Sequence, residues 1–266
     1  NNLLDIDSAI GLLKDLETKK SVFLIHKHNN PCGVAIRDNL LDAYLDALSC
    51  DNVSAFGGIL TSNQTIDIKV AEQINKLFFE VLIAPNFSQS ALDLLKSKKN
   101  RIIIKLKSYP TNKLQTRSCL NGILEQDIDD KIEKFDDFKV VTKISPNFTK
   151  SDDLVLASII VKHTKSNCIA IVKNKQLIGS GMGQVSRVDA LNQAIEKSKK
   201  FGFDLNESCL ASDAFFPFSD CVEISHANNI NSIVQPGGSI KDQESIDFCN
   251  KNGMSMVFSG IRHFRH

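Results

Sequence analysis

The chain has 266 residues, enough for one large domain or two smaller ones, and 42% hydrophobic with 24% charged residues is the composition of a folded globular protein. Lys and Arg number 32 against 31 Asp and Glu, so a net charge of +1 gives no general pull toward nucleic acid or a membrane surface. No apolar run is long enough for a membrane span and no signal-peptide pattern opens the chain, which fits a cytoplasmic protein.

Seven cysteines, at 32, 50, 119, 168, 209, 221 and 249, are odd in number and never spaced as C-x-x-C. That disfavours structural zinc and a disulfide framework, and free, mostly buried thiols are expected. The chain opens on Asn1 without a Met and runs straight into a helix, as the C-terminal piece of a longer polypeptide would.

Asp7 is a candidate cap for a first helix carrying Ile10, Leu13 and Leu16 at helical spacing. The apolar run Ser21–Ile25 then reads as a buried strand leading into Lys27-His28-Asn29-Asn30-Pro31-Cys32-Gly33. Neighbours on a strand point to opposite faces, so Lys27 and His28 can share a site only where the strand stops. Pro31 removes a ladder donor and Gly33 permits a tight turn, so a stop is expected there. A cation and an imidazole would then lie together at a sheet end, where α/β proteins bind ligands; a plain strand-to-loop junction is the alternative.

A helix presenting Leu41, Tyr44, Leu45 and Leu48 follows. Next come a strand over Val53 to Leu60, a helix over Ile68 to Phe79 with Val70, Ile74, Leu77 and Phe78 inward, and strands at Val81–Pro85 and Arg101–Leu106. Residues 126–150 are charged and poorly periodic, marking a connecting segment between units 1–125 and 151–266. Ser151 to Val161 is nearly all apolar, a helix buried on every side. Cys168–Val172 and Gln176–Ser180 flank Lys173-Asn174-Lys175 as a hairpin, and a helix from Arg187 to Lys200 stops at Gly202. A loop, a helix near Asp220–Asn229, the strand Ser232–Gln235, a Gly loop, another helix and the strand Met254–Phe258 complete an alternating α/β pattern. Two echoes hint at similar halves: Ser54-Ala55-Phe56 against Ser212 to Phe215, and short buried strands ending at Pro85 and Pro236.

Four further segments carry possible chemistry. Gly179-Ser180-Gly181-Met182-Gly183 is a poor dinucleotide fingerprint, either a tight turn or a backbone that approaches a ligand; Ser186 and Arg187 follow at a helix start that would favour phosphate. Gln235-Pro236-Gly237-Gly238-Ser239 is either a plain β-to-α loop or an anion cradle. Ala211 to Phe218 places three Phe around Pro217, as core or, with the polar Asp213 and Asp220 on either side, as the wall of a pocket; Asp220 is suited to a heterocycle bearing N–H donors. Arg262-His263-Phe264-Arg265-His266 is either a solvated basic tail or a docked end that reaches a phosphate. Zinc deamination is excluded by residue type, since it needs H-x-E and P-C-x-x-C; Pro31-Cys32 is followed by Gly33-Val34-Ala35 and no His-x-Glu occurs.

Together these segments, with Ser54 to Gly58, Ile83-Ala84-Pro85, Lys165-Ser166-Asn167 and Gly181 to Val188, resemble the aminoimidazole carboxamide ribonucleotide (AICAR) transformylase part of the bifunctional purine biosynthesis family. The resemblance runs in order over essentially the whole chain. It implies two cytidine-deaminase-like α/β/α subdomains without catalytic zinc, and a homodimer with active sites at its interface. It also implies formyl transfer from the co-substrate 10-formyltetrahydrofolate to the amino group of AICAR. By position, His28 resembles the general base and Lys27 the stabilising cation. Asn167, Glu80, Phe215, Arg187 and Arg262 fall on the nucleotide side, and Gly57, Val188, Pro217, Phe218 and Asp220 on the folate side. Two positions depart from the family pattern: His26 stands where an apolar strand residue is expected, and Ser219 replaces a usual Arg. The family's Arg-Tyr-Gly-Glu-Asn-Pro-His-Gln segment and its cyclohydrolase domain would lie ahead of Asn1. A non-catalytic nucleotide-phosphate-binding module is the rival reading.

Overall fold

The computed structural model describes residues 1–16 and 18–266. In chain order its first half runs α1 (Asn2–Asp15), β1 (Ser21–Lys27), β2 (Asn30–Arg37), α2 (Leu40–Cys50), β3 (Gly58–Ser62), α3 (Ile68–Ile74), β4 (Phe79–Ala84), α4 (Gln89–Lys96) and β5 (Ile102–Lys105). An exposed two-stranded ribbon, β6 (Leu114–Cys119) and β7 (Gly122–Asp127), a 3-10 turn at Phe135–Asp137 and the short β8 (Lys139–Val140) lead to the second half. There α5 (Phe148–Lys162), β9 (Ile169–Lys173), β10 (Gln176–Gly181), α6 (Arg187–Lys200), β11 (Ser208–Ser212), α7 (Asp220–Ala227), β12 (Ile230–Gln235), α8 (Asp242–Lys251) and β13 (Ser255–Phe258) repeat the order of the first.

One mixed 11-stranded sheet holds both halves, in the order β5-β4-β3-β1-β2-β10-β9-β11-β12-β13-β8. Alternation along each strand divides its side chains between two layers of helices. Val22, Leu24, Val34, Ala170 and Val172 pack with α1 and α5 on one face. Phe23, Ile25 and Leu60 pack with α2, α3 and α4 on the other, where Ile169, Ile171 and Leu210 meet α6, α7 and α8.

The halves join edge to edge through β2 and β10, which are antiparallel, with Gln176 opposite Ala35. That pairing sets the direction of one half's strands against the other's. The carboxyl ends of β1, β10, β11, β12 and β13 share one edge of the sheet with the amino ends of β2, β3, β4 and β9.

Several expectations are corrected. Asp7 lies inside α1, whose N-cap is Asn1, because the apolar pattern begins earlier than the first strong capping residue. The chain turns at His28-Asn29, not at Pro31–Gly33: both residues have positive φ, and Asn30 to Arg37 returns as β2. Gly33 serves packing, since a Cβ there would lie 2.2 Å from Ala47 O of α2. Gly179 and Gly181 play the same part in β10, where a Cβ would meet Ala194 O at 2.4 Å and Ala190 O at 1.8 Å of α6. Their role is therefore neither the tight turn nor the ligand approach expected of them. Residues 52–57 are a turn preceding β3, and α3 stops at Ile74, leaving Phe78 exposed and Phe79 buried at the start of β4.

The strand Ser208–Ser212 replaces an expected loop, and α4 was not anticipated from the sequence. The Ser-Ala-Phe echo is not a structural equivalence, for Ser54–Phe56 precedes β3 while Ser212–Phe215 follows β11. The Pro echo holds, since Pro85 and Pro236 both follow the corresponding strands β4 and β12. Helix α5 is buried as expected, its outer side covered by Ile132, Phe135 and Phe138 of the connecting segment. All seven cysteines are free and six are buried, Cys119 being exposed. No helix among the described residues is long and apolar enough to cross a membrane.

Candidate functional site

The β1–β2 hairpin places Lys27 and His28 on that shared edge. Lys27 is the last residue of β1, and its Nζ donates to Phe56 O at 2.9 Å and Gly57 O at 2.8 Å. Gly57 has φ +67, and a Cβ on it would stand 3.0 Å from that ammonium, so a bare backbone brings its carbonyl to the cation. An ammonium has three donors; two are spent here, and the third remains for a ligand. His28 follows at φ 52 in the turn, exposed to solvent. Its neighbour Asn29 is held by its N–H to Asp5 Oδ1 at 2.5 Å and by its carbonyl, which accepts from Ser8 Oγ at 3.0 Å. The two catalytic candidates are thus adjacent at one strand end, one pinned and one free. Phe56 and Phe78 lie against each other beside Lys27, ring centroids 5.0 Å apart and planes tilted by 41°, and Glu80 is half-buried near the start of β4.

Further along the same edge lies a second group. Arg187, first residue of α6, donates through Nη2 to Asn167 Oδ1 at 2.6 Å and through Nη1 to Ser212 Oγ at 3.0 Å, and pairs with Asp213 Oδ1. Asp213 is fully buried and also accepts from Cys168 N at 3.2 Å. Asn167 Nδ2 donates to Gln184 O at 2.9 Å. Arg187, expected on the nucleotide side, is thus engaged with three side chains and holds the Asn167 amide. Asp213 is the residue that sequence reasoning undervalues: as a polar flank of the Phe-rich segment it carries no sign of its remote partner Arg187.

Phe216 of that segment is core, Phe215 is half-buried and Phe218 is exposed, with Lys241 Nζ 4.8 Å over its ring. Pro217 is exposed, and its carbonyl accepts from Ser239 Oγ at 3.5 Å. Val188 packs against the α6–α8 core, and Asp220 opens α7. In the Gly loop, Gln235 Oε1 accepts from Gly237 N at 3.0 Å and Phe216 N at 3.3 Å, tying β12 to the Phe-rich turn. Arg262 is exposed, its guanidinium 5.5 Å from the Phe264 ring centroid.

The two groups touch through backbone and loop contacts rather than through the candidate side chains. Lys165 N donates to Asn30 Oδ1 at 2.9 Å, and Arg265 Nη2 donates to Ser8 Oγ at 3.1 Å. From β1 to β9 is three strand spacings, about 14 Å. His28 therefore stands along the edge from Asn167 and Phe215 rather than against them. Among the described residues, no group of three or more His, Cys, Asp or Glu is arranged to hold a metal ion.

His26, just behind the pair, is fully buried, and neither ring nitrogen has a hydrogen-bond partner. Burial, with His163 and Arg265 nearby, lowers its pKa to about 3, so the ring is neutral.

A family model described as AICARFT/IMPCHase bienzyme matches residues 1–197. The bifunctional purine biosynthesis protein PurH of Bacteroides thetaiotaomicron is 53% identical over 266 residues, covering 100% of this chain and 52% of that protein. Its counterparts in Acetivibrio thermocellus and Aquifex aeolicus are 47% and 45% identical, again over 100% of this chain and 52% of theirs. The chain thus spans about half the length of the curated relatives it matches. A solved deaminase/reductase from Thermotoga maritima overlaps 36% of this chain and 31% of its own at 18% identity, with a TM-score of 0.28, too slight a likeness to inform the fold.

Proposed function

The chain belongs to the AICARFT/IMPCHase bienzyme family, and we propose that it carries formyl transfer from 10-formyltetrahydrofolate to AICAR rather than ring closure. The observation that carries this reading is the Lys27–His28 pair, an ammonium pinned by two carbonyls beside an exposed imidazole at a strand end. The acceptor is an aromatic amine conjugated to a carboxamide and is therefore a weak nucleophile. As its nitrogen bonds to the formyl carbon, positive charge grows on nitrogen and negative charge on the formyl oxygen. His28 takes the amine proton, and the third N–H of Lys27 meets the oxyanion. The bond from the formyl carbon to folate N10 then breaks as N10 takes up the proton held by His28, which returns the imidazole to its starting state. Each group contributes on the order of a hundredfold.

In this reading Asn167, oriented by Arg187, meets the carboxamide of AICAR, while Glu80, Phe215 and Arg262 complete the nucleotide side. Gly57, Val188, Pro217, Phe218 and Asp220 line the folate side. The repeated element order supports residues 1–125 and 151–266 as two related subdomains of cytidine-deaminase-like kind, joined by 126–150.

Two copies of the chain share each site. The spacing of the two groups along the edge supports this, as do the apolar Phe56, Phe78, Val185, Phe218 and Ile240, which all stand exposed. Release of tetrahydrofolate that depends on added AICAR tests the activity, and dilution tests the sharing. Specific activity should fall as copies separate; full activity in a diluted monomer would overturn the shared site.

A further inference from the structure

Residues 262–265 are anchored by a side chain with no part in the machinery above. His263 is 3% exposed and has a carboxylate at each ring nitrogen. Nδ1 is 2.6 Å from Asp129 Oδ2, and Nε2 is 3.0 and 3.1 Å from the two oxygens of Glu133, itself 3% exposed. A neutral imidazole has one N–H, so it would satisfy one carboxylate and turn a lone pair toward the other. Only the imidazolium donates to both.

The surroundings agree with a charged ring. Burial alone would lower its pKa, but the hydrogen bonds and charges of Asp129 and Glu133 outweigh that and raise it to about 9. From α5, Lys162 Nζ donates to Lys131 O at 2.8 Å, between the two acids, and is itself paired with Asp15 of α1 at 2.8 Å. His163 shares Asp15 Oδ2 at 2.7 Å, and Arg265 points away to His163 O at 2.9 Å and Ser8. Asp213 presents its carbonyl, not its carboxylate, to His263.

The backbone of this segment belongs to the candidate site. His263 N donates to Asp213 O at 3.0 Å. Two residues on, Arg265 N donates to Ser166 Oγ at 3.0 Å and Ser166 N to Arg265 O at 2.9 Å, immediately before Asn167. We propose that His263 is a positioning residue: as an imidazolium between Asp129 and Glu133 it moors residues 262–265 to the connecting segment, and so sets Arg262 and the Ser166–Asn167 backbone for the nucleotide. This rests on the nucleotide-side roles given above to Arg262 and Asn167.

The test compares the wild type with His263→Gln, Glu133→Gln and the milder Asp129→Asn, each first shown to be folded by circular dichroism. AICAR KM, kcat and the hydrogen-exchange protection of the His263 and Arg265 amides are followed from pH 6 to 10. In the wild type, AICAR KM should rise about tenfold or more as pH passes the His263 pKa of about 9, with kcat little changed and that protection falling in step. Glu133→Gln should bring both midpoints down toward 6.5, and His263→Gln should show the high KM and low protection at every pH. A lysine titrating elsewhere would leave the midpoint unmoved by Glu133→Gln, and that result would overturn the proposal. So would lost protection in His263→Gln with a wild-type KM. A wild type that transfers no formyl group would contradict the function reading instead; mooring is then decided by amide protection alone, and equal protection in wild type and His263→Gln overturns it.

Discussion

Arg187 Nη2 donates to the Asn167 amide oxygen over 2.6 Å, fixing which end of that amide is left to face a ligand. The same guanidinium closes on Asp213, a carboxylate with no solvent exposure. It therefore holds a buried charge and an amide in register.

Arg187→Ala should consequently act on folding as well as on substrate. Removing one partner of a buried ion pair strands the other, at a cost of about 3–5 kcal/mol. Urea unfolding should show that loss, and Arg187→Ala with Asp213→Asn should recover part of it. A stability change under about 0.5 kcal/mol, typical of a surface substitution, would remove Arg187 from the scaffold.

His26 gives a pH-dependent expectation. Its folded pKa of about 3 lies below the ordinary 6.5, so between these values the unfolded chain binds a proton that the folded one does not. Stability should therefore fall as pH drops from 6.5 toward 3. His26→Leu should lessen that fall, and near neutrality should add about 1–3 kcal/mol by replacing two unpartnered ring nitrogens with hydrocarbon. Thermal melts at several pH values decide it; an unchanged acid limb would contradict the assignment. His163, also lowered by burial, keeps the slope from vanishing.

Gly33→Ala should push α2 away from β2, because the new methyl would lie 2.2 Å from Ala47 O. Backbone yields less readily than a side chain, so a loss of about 1–3 kcal/mol is expected. Gly183→Ala is the control: its added Cβ meets only the flexible Lys165 side chain, 3.6 Å away, and the cost is confined to its positive φ. Equal tolerance at both positions would refute the packing role.

Much of the fold was legible because its signals are local. The hairpin around Asn174-Lys175, helix α6 with its Ser186 cap, and the buried α5 all follow from short-range pattern. What the sequence hid depends on partners remote in the chain. Gly33, Gly179 and Gly181 read as turn residues until helices are seated on them. The strand direction that brings Lys27 and Asn167 to one edge is decided by the β2–β10 pairing. The His263 mooring joins residues separated by about 130 positions, through carboxylates in a segment whose charges read as those of a linker.

In the function proposed, the edge bearing Lys27 and His28 transfers a formyl group. His28→Asn tests it most directly, because Asn tolerates the positive φ of the turn and the exposed ring leaves no cavity. In a chain extended to the length of its relatives, formyl transfer to AICAR should fall about a hundredfold or more. Ring closure of supplied formyl-AICAR should be unchanged, and so should the melting temperature. Undiminished formyl transfer, or a loss of ring closure in its place, would contradict the account.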